Sequence, residues 1–138
     1  MSVPDDPQQH LFTLDQAEAL LPQVREELLA MQALKRQVDD LRDELGHVAE
    51  KATGNGHVRD EDRVVRARRH AERLVEELNE RLARINAWGI ELKGLDEGLI
   101  DFPSEREGRV VYLCWRLGED RIAFWHDLDT GFAGRQPL

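Results

Sequence analysis

Four residues in the C-terminal third of the chain carry side chains that bind divalent metal ions: His126, Asp101, Glu97 and Cys114. Imidazole nitrogen, carboxylate oxygen and thiolate sulfur are the ligands that proteins offer to Zn²⁺, Mn²⁺ and Fe²⁺. The sequence has no HxxxH, HExxH or CxxC motif, so only the fold can bring these residues together. We expect a divalent metal site centred on Asp101 and His126, with Glu97 or Cys114 as the third ligand. In the alternative, Asp101 and His126 are structural and hydrogen-bond to each other or to nearby backbone.

Other chemistry is conceivable in the same region. Cys114 is a candidate nucleophile, although a cysteine in the middle of a strand is more often a small buried residue. Tyr112, Arg116 and Arg135 are candidate ligand-binding residues. Gly131, Gly134 and Arg135 could form a phosphate-binding turn, but their spacing matches no phosphate-loop pattern. We therefore expect the C-terminal segment to be a docked tail.

These residues are predicted to lie on β-strands. The segment Val110–Leu117 is rich in β-branched and aromatic residues, Gly118–Asp120 is typical of a turn, and Arg121–His126 predicts a returning strand. Upstream, Gly98–Pro103 predicts a further strand, which Pro103 should end because proline cannot donate a ladder hydrogen bond. Ser104–Gly108 is then the connecting loop.

The length of the turn decides which side chains share a face of the sheet. With three turn residues, Leu117 faces Arg121, and alternation gives one apolar face that should pack on the helices. That face holds Ile100, Phe102, Val111, Leu113, Trp115, Leu117, Ala123 and Trp125. The opposite face holds Leu99, Asp101, Tyr112, Cys114, Arg116, Phe124 and His126. We expect His126 on the polar side, at a rim of the sheet where the chain turns out to solvent; a two-residue turn would move it to the apolar side.

Two long helices precede this region. Thr13 and Gln16 form a capping-box pattern that predicts the start of the first helix. Apolar residues then recur at steps of three and four, as in a coiled coil, and Pro22 should kink the helix or end a short first segment. The segment Thr53–Gly56 predicts a loop, and a second helix begins near Asp60. It should end at Trp88–Gly89, with glycine in the left-handed conformation.

Composition narrows the functional classes. The 138 residues carry a formal net charge of −9, which disfavours binding to nucleic acid or to an anionic membrane. A single cysteine excludes an internal disulfide and suits a reducing cytoplasm. No apolar run approaches the roughly 18 residues of a membrane span. We expect a cytoplasmic protein with neither a nucleic-acid nor a membrane partner.

Several strings of the chain are similar to one bacterial family. They are Phe12–Ala17, Leu95–Ser104, Val111–Glu119, Phe124–His126 and Gly131–Arg135. Together they resemble a small family catalogued as domain of unknown function two-two-zero-three, over about residues 11–138. The resemblance implies a stand-alone cytoplasmic protein, and it brings no activity and no functional residues.

The fold class that follows is α+β. Residues 11–90 should form a long, coiled-coil-like antiparallel helical hairpin, and residues 91–138 a small antiparallel sheet, within a single domain 1–138. Leu20, Leu29 and Val75 widen the apolar stripe of the helices, so we expect a homo-oligomer, most simply a two-fold dimer. Two functions stay open: a binding or assembly protein with a metal or small-ligand site, and a small metal-dependent enzyme centred on Asp101 and His126.

Overall fold

A computed structural model describes residues 10–51 and 58–138, with side chains for residues 10–47 and 61–138. Two helices, α1 (Leu14–Lys51) and α2 (Val58–Ala87), are followed by five strands and one 3₁₀ turn (Phe132–Gly134). The strands are β1 (Glu91–Gly94), β2 (Leu99–Arg106), β3 (Arg109–Arg116), β4 (Phe124–His126) and β5 (Gln136–Pro137). This is the predicted α+β class. The predicted loop Thr53–Gly56 lies outside the described residues.

The start of α1 is fixed by the predicted capping box. The Gln16 backbone N–H donates to Thr13 Oγ1 over 3.1 Å, and the Thr13 N–H donates to Gln16 Oε1 over 3.0 Å. These two bonds satisfy donors that the first helical turn leaves without partners. The helix then continues through Pro22 as one element. The alternative that Pro22 ends a short first segment is therefore wrong.

The end of α2 also follows its sequence signal. Gly89 has a φ of 91°, in the left-handed region, and its N–H donates to the Asn86 carbonyl. The Ile90 N–H reaches back to the Ile85 carbonyl over 3.3 Å, and both isoleucine side chains are buried. The chain therefore leaves the helix through a glycine C-cap and passes directly into β1.

The chain divides into two compact units. One unit is Ala30–Arg81, the adjoining parts of the two helices, and the other combines the start of the chain to Leu29 with Leu82–Leu138. The second unit thus groups the first half of α1 and the last residues of α2 with the strands. That the chain forms one domain stays a prediction.

The Ala30–Arg81 unit is a helical hairpin with a narrow apolar seam. Its buried core consists of Leu34, Val38 and Leu74, with Leu41, Val75 and Leu78 packed against it. Arg63 donates to Glu44 over 3.2 Å between exposed side chains, so this ion pair contributes little to stability. Because the seam positions recur at steps of three and four, the hairpin is the one that the sequence predicts.

The unit that contains the sheet has the larger core. Its fully or nearly fully buried side chains come from both helices and from β2, β3 and β4. A buried carboxylate, Glu27, ties α1 to α2: Arg84 Nη1 lies 2.8 Å from both of its oxygens. This ion pair was not predicted from the sequence, because an acidic residue at a core position can be recognised only when its partner on the other helix is known. The pair supplies the counter-charge that a carboxylate 5% exposed requires.

The five strands form one antiparallel sheet in sequence order. Leu113 pairs with Trp125 and Tyr112 with His126, which is the predicted register. The turn is longer than predicted, because β3 ends at Arg116 and β4 begins only at Phe124, so the predicted strand Arg121–His126 forms over its last three residues. Six of the eight residues of the predicted apolar face are buried: Ile100, Phe102, Val111, Leu113, Trp115 and Trp125. The predicted face assignment is confirmed on β2, β3 and β4.

Two predictions about β2 are wrong. The strand runs through Pro103 and ends at Arg106, and the turn to β3 is only Glu107–Gly108. Pro103 is tolerated because β1 pairs only with Leu99–Asp101, so the outer side of β2 is free of a strand at this point. The Pro103 carbonyl accepts from the Phe12 N–H on that outer side, so the missing proline N–H interrupts no bond to β3. Both turn residues have positive φ, 52° and 79°, as a tight two-residue hairpin turn requires.

The C-terminal segment is a docked tail. β5 pairs with β4, and the Leu138 N–H donates to the Ala123 carbonyl over 2.9 Å. The 3₁₀ turn before β5 brings Arg135 to the polar face of the sheet. The expectation of a docked tail is confirmed.

Candidate metal centre

Three neighbouring strands bring Asp101, Cys114 and His126 together. Asp101 on β2 is paired directly with Cys114 on β3, and His126 on β4 lies diagonally across β3, opposite Tyr112. All three side chains project from the same face because their strands alternate in register. One ligand atom from each residue lies within 4.8 Å of the other two, and the three residues are buried. The structure thus brings together three of the four predicted metal ligands.

The orientation of His126 is set by the backbone beside it. Its Nδ1 lies 2.7 Å from the Asp127 carbonyl oxygen, which can only accept, so Nδ1 carries a hydrogen and donates it. Nε2 lies 2.9 Å from Asp101 Oδ1, and a single proton lies between these two atoms. A histidine whose Nδ1–H is held by a carbonyl presents Nε2 to a metal in many sites. The His126 ring has that arrangement and faces the two other ligand atoms.

Asp101 is the central member of the group. It accepts hydrogen bonds from both His126 and the Cys114 thiol. Burial raises the pKa of the Asp101 carboxyl above its ordinary value, and the nearby His126 opposes this rise without cancelling it. Asp101 therefore lies between the other two residues: the thiol donates to its carboxyl group, and the imidazole is bonded to the same carboxyl group.

This order disfavours Cys114 as a nucleophile. An activated cysteine needs an adjacent base that lowers its pKa. Burial, and next the negative charge of Asp101, instead raise the pKa of Cys114 to about 12. The thiol is protonated at neutral pH, so the nucleophile hypothesis has no support from the site.

The prediction that His126 lies at a solvent-exposed rim of the sheet is wrong. The residue is 1% exposed, although it ends β4. Its ring is hydrogen-bonded to Asp101 and packs beside Tyr112, and Arg135 packs on Phe124 of the same face. The Arg135 guanidinium lies 4.2 Å from the centre of the Phe124 ring, and the Tyr112 ring centre lies 5.4 Å from that of His126.

The predicted ligand-binding residues have structural contacts of their own. Arg135 makes two hydrogen bonds to Glu119, at 2.6 and 3.0 Å, and a third to the Cys114 carbonyl at 3.3 Å. Arg116 is exposed and lies over the Phe132 ring at 5.9 Å. Since Glu119 occupies the fork of its guanidinium, Arg135 acts as a clamp on the C-terminal segment rather than as a phosphate ligand.

Glu97 does not join the group. It is exposed in the turn between β1 and β2, where its carboxylate packs against Gly94. The turn is closed by a hydrogen bond from the Gly98 N–H to the Leu95 carbonyl. Proximity in sequence to β2 favoured Glu97, but the turn carries its side chain away from the face that holds Asp101.

Sequence reasoning missed two polar residues that border the site. Glu91 accepts from the Tyr112 hydroxyl over 2.5 Å and from Lys93 over 3.0 Å. Both belong to β1, which lacks β-branched residues and was not predicted to be a strand. The available signal was its position directly after the helix-ending Gly89, with room for one short strand before the next turn.

Comparison with protein-family models matches residues 10–138 to DUF2203, an uncharacterised conserved protein. The chain belongs to this family. The match covers all of the described residues, including every residue of the candidate site, and it confirms the resemblance seen in the sequence. Neither the curated proteins nor the solved structures gave a match. Within the described part of the chain, no helix is long and apolar enough to cross a membrane.

Proposed function

We propose that this protein binds one divalent transition-metal ion through Asp101, Cys114 and His126. The observation that carries the proposal is the convergence of three different ligand atoms, from three adjacent strands, within 4.8 Å of one another. The held Nδ1–H of His126 supports it, because that bond fixes the tautomer that a metal requires. A bound ion would join β2, β3 and β4 across the polar face of the sheet.

The ligand types favour Zn²⁺ over the other candidates. Thiolate sulfur selects Zn²⁺ among the common divalent ions, whereas Mn²⁺ prefers oxygen. A set of one sulfur, one nitrogen and one oxygen suits a tetrahedral ion with Zn–S of about 2.3 Å and Zn–N of about 2.0 Å. Fe²⁺ is the second choice, since it also accepts imidazole and carboxylate.

Metal binding must release protons. The thiol of Cys114 has a pKa of about 12, so the ion displaces its hydrogen at neutral pH. The proton that lies between Nε2 of His126 and Oδ1 of Asp101 must leave as well. The affinity for Zn²⁺ therefore rises with pH, by about one decade per pH unit for each proton released.

The test is titration calorimetry with Zn²⁺ on untagged protein that has been stripped of metal. We expect one ion per chain for the wild type, and a loss of about 100-fold or more in affinity for His126→Ala and Cys114→Ser. His70→Ala is the matched control, because His70 is an exposed histidine on α2. The same titration at pH 6.5 and 7.5 should show tighter binding at the higher pH.

Two results would contradict the metal function. One is the absence of Zn²⁺, Fe²⁺ and Mn²⁺ binding by the wild type. The other is equal affinity in the wild type and in both ligand variants. If His126→Ala also melts at a much lower temperature in metal-free buffer, His126 is a structural hydrogen-bonding residue, as the alternative from the sequence holds.

A second candidate function is a small metal-dependent enzyme centred on Asp101 and His126. The number of ligands favours it, because catalytic zinc sites keep three protein ligands and leave a fourth position for water or substrate. Substitution with Co²⁺ distinguishes the two functions. An absorption spectrum that changes when azide is added indicates an exchangeable fourth position, whereas an unchanged spectrum indicates a structural ion.

We also propose that the protein acts in the cytoplasm as a homodimer formed through its helices. The buried, reduced Cys114 suits a reducing compartment. Leu29 on α1 is 50% exposed, and the prediction rests on its place beside the seam, where it widens the apolar stripe of the helices.

A further inference from the structure

The polar group formed by Glu91, Lys93 and Tyr112 lies beside the candidate metal centre but contributes no ligand to it. Glu91 is the direct strand partner of Asp101, and Tyr112 is the direct partner of His126. Lys93 falls where the register between β1 and β2 shifts by one residue, so it is the extra residue of a β-bulge. Bulges redirect a side chain, and here the Lys93 ammonium lies 4.9 Å from the centre of the Tyr112 ring.

Tyr112 and Lys93 each contact a different oxygen of the Glu91 carboxylate. The Tyr112 hydroxyl donates to Glu91 Oε2 over 2.5 Å, and Lys93 Nζ lies 3.0 Å from Glu91 Oε1. A phenol and an ammonium spaced to contact both oxygens of a planar carboxylate fit that group better than a tetrahedral anion. Charge-assisted bonds of this kind are the strong class of hydrogen bond.

The carboxylate that fills the position now is able to leave. The Glu91 side chain is 41% exposed, on a strand that is the first in the sheet order and pairs only with β2. Rotation of this side chain into solvent would leave the positive charge of Lys93 and the hydroxyl of half-buried Tyr112 without their partner. Without Glu91, the ammonium of Lys93 and the hydroxyl of Tyr112 would attract a carboxylate from solution.

We propose that Tyr112 and Lys93 form a binding site for a small carboxylate, and that Glu91 occupies this site in the absence of the ligand. Glu91 therefore acts as an internal competitor. A tethered group competes at an effective concentration of about millimolar or higher, so the wild type binds a free carboxylate weakly. The site requires no metal ion, and its test is carried out with a chelator present.

The single tyrosine of the chain provides the readout. Protein with ¹³C-labelled tyrosine gives one ring resonance, which is followed while acetate is added and chloride keeps the ionic strength constant. Removal of Glu91 in Glu91→Ala should shift the resonance, and acetate should return it toward the wild-type position. We expect the dissociation constant for acetate to be about tenfold lower in Glu91→Ala than in the wild type.

Two further variants separate recognition from a general effect of charge. Glu76→Ala removes the same charge from an exposed position on α2 and should bind acetate no better than the wild type. Adding Lys93→Met to Glu91→Ala should abolish the gain. Equal affinities in Glu91→Ala and Glu76→Ala would overturn the proposal, as would a stronger response to inorganic phosphate than to acetate. Because no metal is present, these outcomes are independent of whether Zn²⁺ binds.

Discussion

At the scale of single residues, two groups on the polar face of the sheet keep their protons to a higher pH in the folded protein than in the unfolded chain. Cys114 and Asp101 are both buried, and burial raises the pKa of each. A raised pKa means that the folded state binds the proton more tightly than the unfolded state does. The proton on each group therefore stabilises the fold up to the pH at which the unfolded chain loses it.

This property gives a prediction for metal-free protein in alkali. The pKa of Cys114 is about 12 in the fold, against an ordinary value of 9.0. The stabilisation is complete below pH 9 and is lost as pH rises from 9 toward 12, because only the unfolded chain releases the proton in this window. The free energy of unfolding should fall with a slope of up to about 1.4 kcal/mol per pH unit above pH 9.

Urea unfolding at pH 8, 9 and 10 measures this slope. Cys114→Ser keeps a hydroxyl donor for Asp101 but does not titrate, so its stability should fall less steeply. The pH range stays at or below 10 because the pKa of Tyr112 is also raised, and its contribution begins only near pH 10. Parallel profiles for the wild type and Cys114→Ser would show that the thiol is not the group responsible.

Residue types and strand alternation were sufficient to place Asp101, Cys114 and His126 on one face. Their spacing followed from one assumption, the pairing register that a three-residue turn after Leu117 would give, and the register of β3 and β4 confirms that pairing although the connection itself is longer. Burial of His126 could not be predicted in the same way. His126 is held against Asp101, Asp127 and the Tyr112 ring, and these contacts depend on how side chains pack on the polar face.

At the scale of elements, the helices were predictable and the edges of the sheet were not. The ends of the helices follow from local signals, such as the capping box at Thr13 and the glycine after Trp88. β1 has a sequence without strand preference and is held by its pairing with β2. The continuation of β2 through Pro103 was also unpredictable from the sequence, since proline is acceptable there only because β1 is short.

Two glycines in contrasting positions give a prediction at this scale. Gly89 has a φ of 91°, and an added Cβ would lie 3.3 Å from His10 Cβ. Gly46 lies within α1, and an added Cβ would meet nothing within 4 Å. Gly89→Ala should therefore destabilise the protein by about 1–2 kcal/mol, from the cost of the left-handed conformation. Gly46→Ala should stabilise it by about 0.5–1 kcal/mol, because alanine is the better helix former.

Thermal and urea unfolding followed by circular dichroism measure both changes. The pair serves as its own control, since the same substitution is made in each case. A gain in stability for Gly89→Ala would mean that the C-cap of α2 does not depend on the left-handed conformation. A loss for Gly46→Ala would show that this part of α1 is not helical in solution.

At the scale of the whole molecule, the expected dimer is the prediction that most needs a measurement. Leu29 is 50% exposed on α1, and Val65 is 45% exposed on α2. We expect multi-angle light scattering at micromolar concentration to give twice the mass of one chain, 15.9 kDa. Leu29→Lys should shift the equilibrium toward the monomer, whereas Leu138→Lys, at a similarly exposed leucine, should not. A wild type that is monomeric under these conditions would contradict the dimer.

The division into two compact units has a consequence for the order in which parts of the chain fold during synthesis. The Ala30–Arg81 hairpin is one continuous stretch, so its contacts can form as soon as that stretch leaves the ribosome. The other unit joins the beginning of the chain to its end: Ser104 Oγ donates to the Phe12 carbonyl across 92 positions. It cannot be completed before the last residues are synthesised. Until then the Cys114 thiol has no docked tail over it, and the nascent chain presents its single cysteine to the surrounding solution.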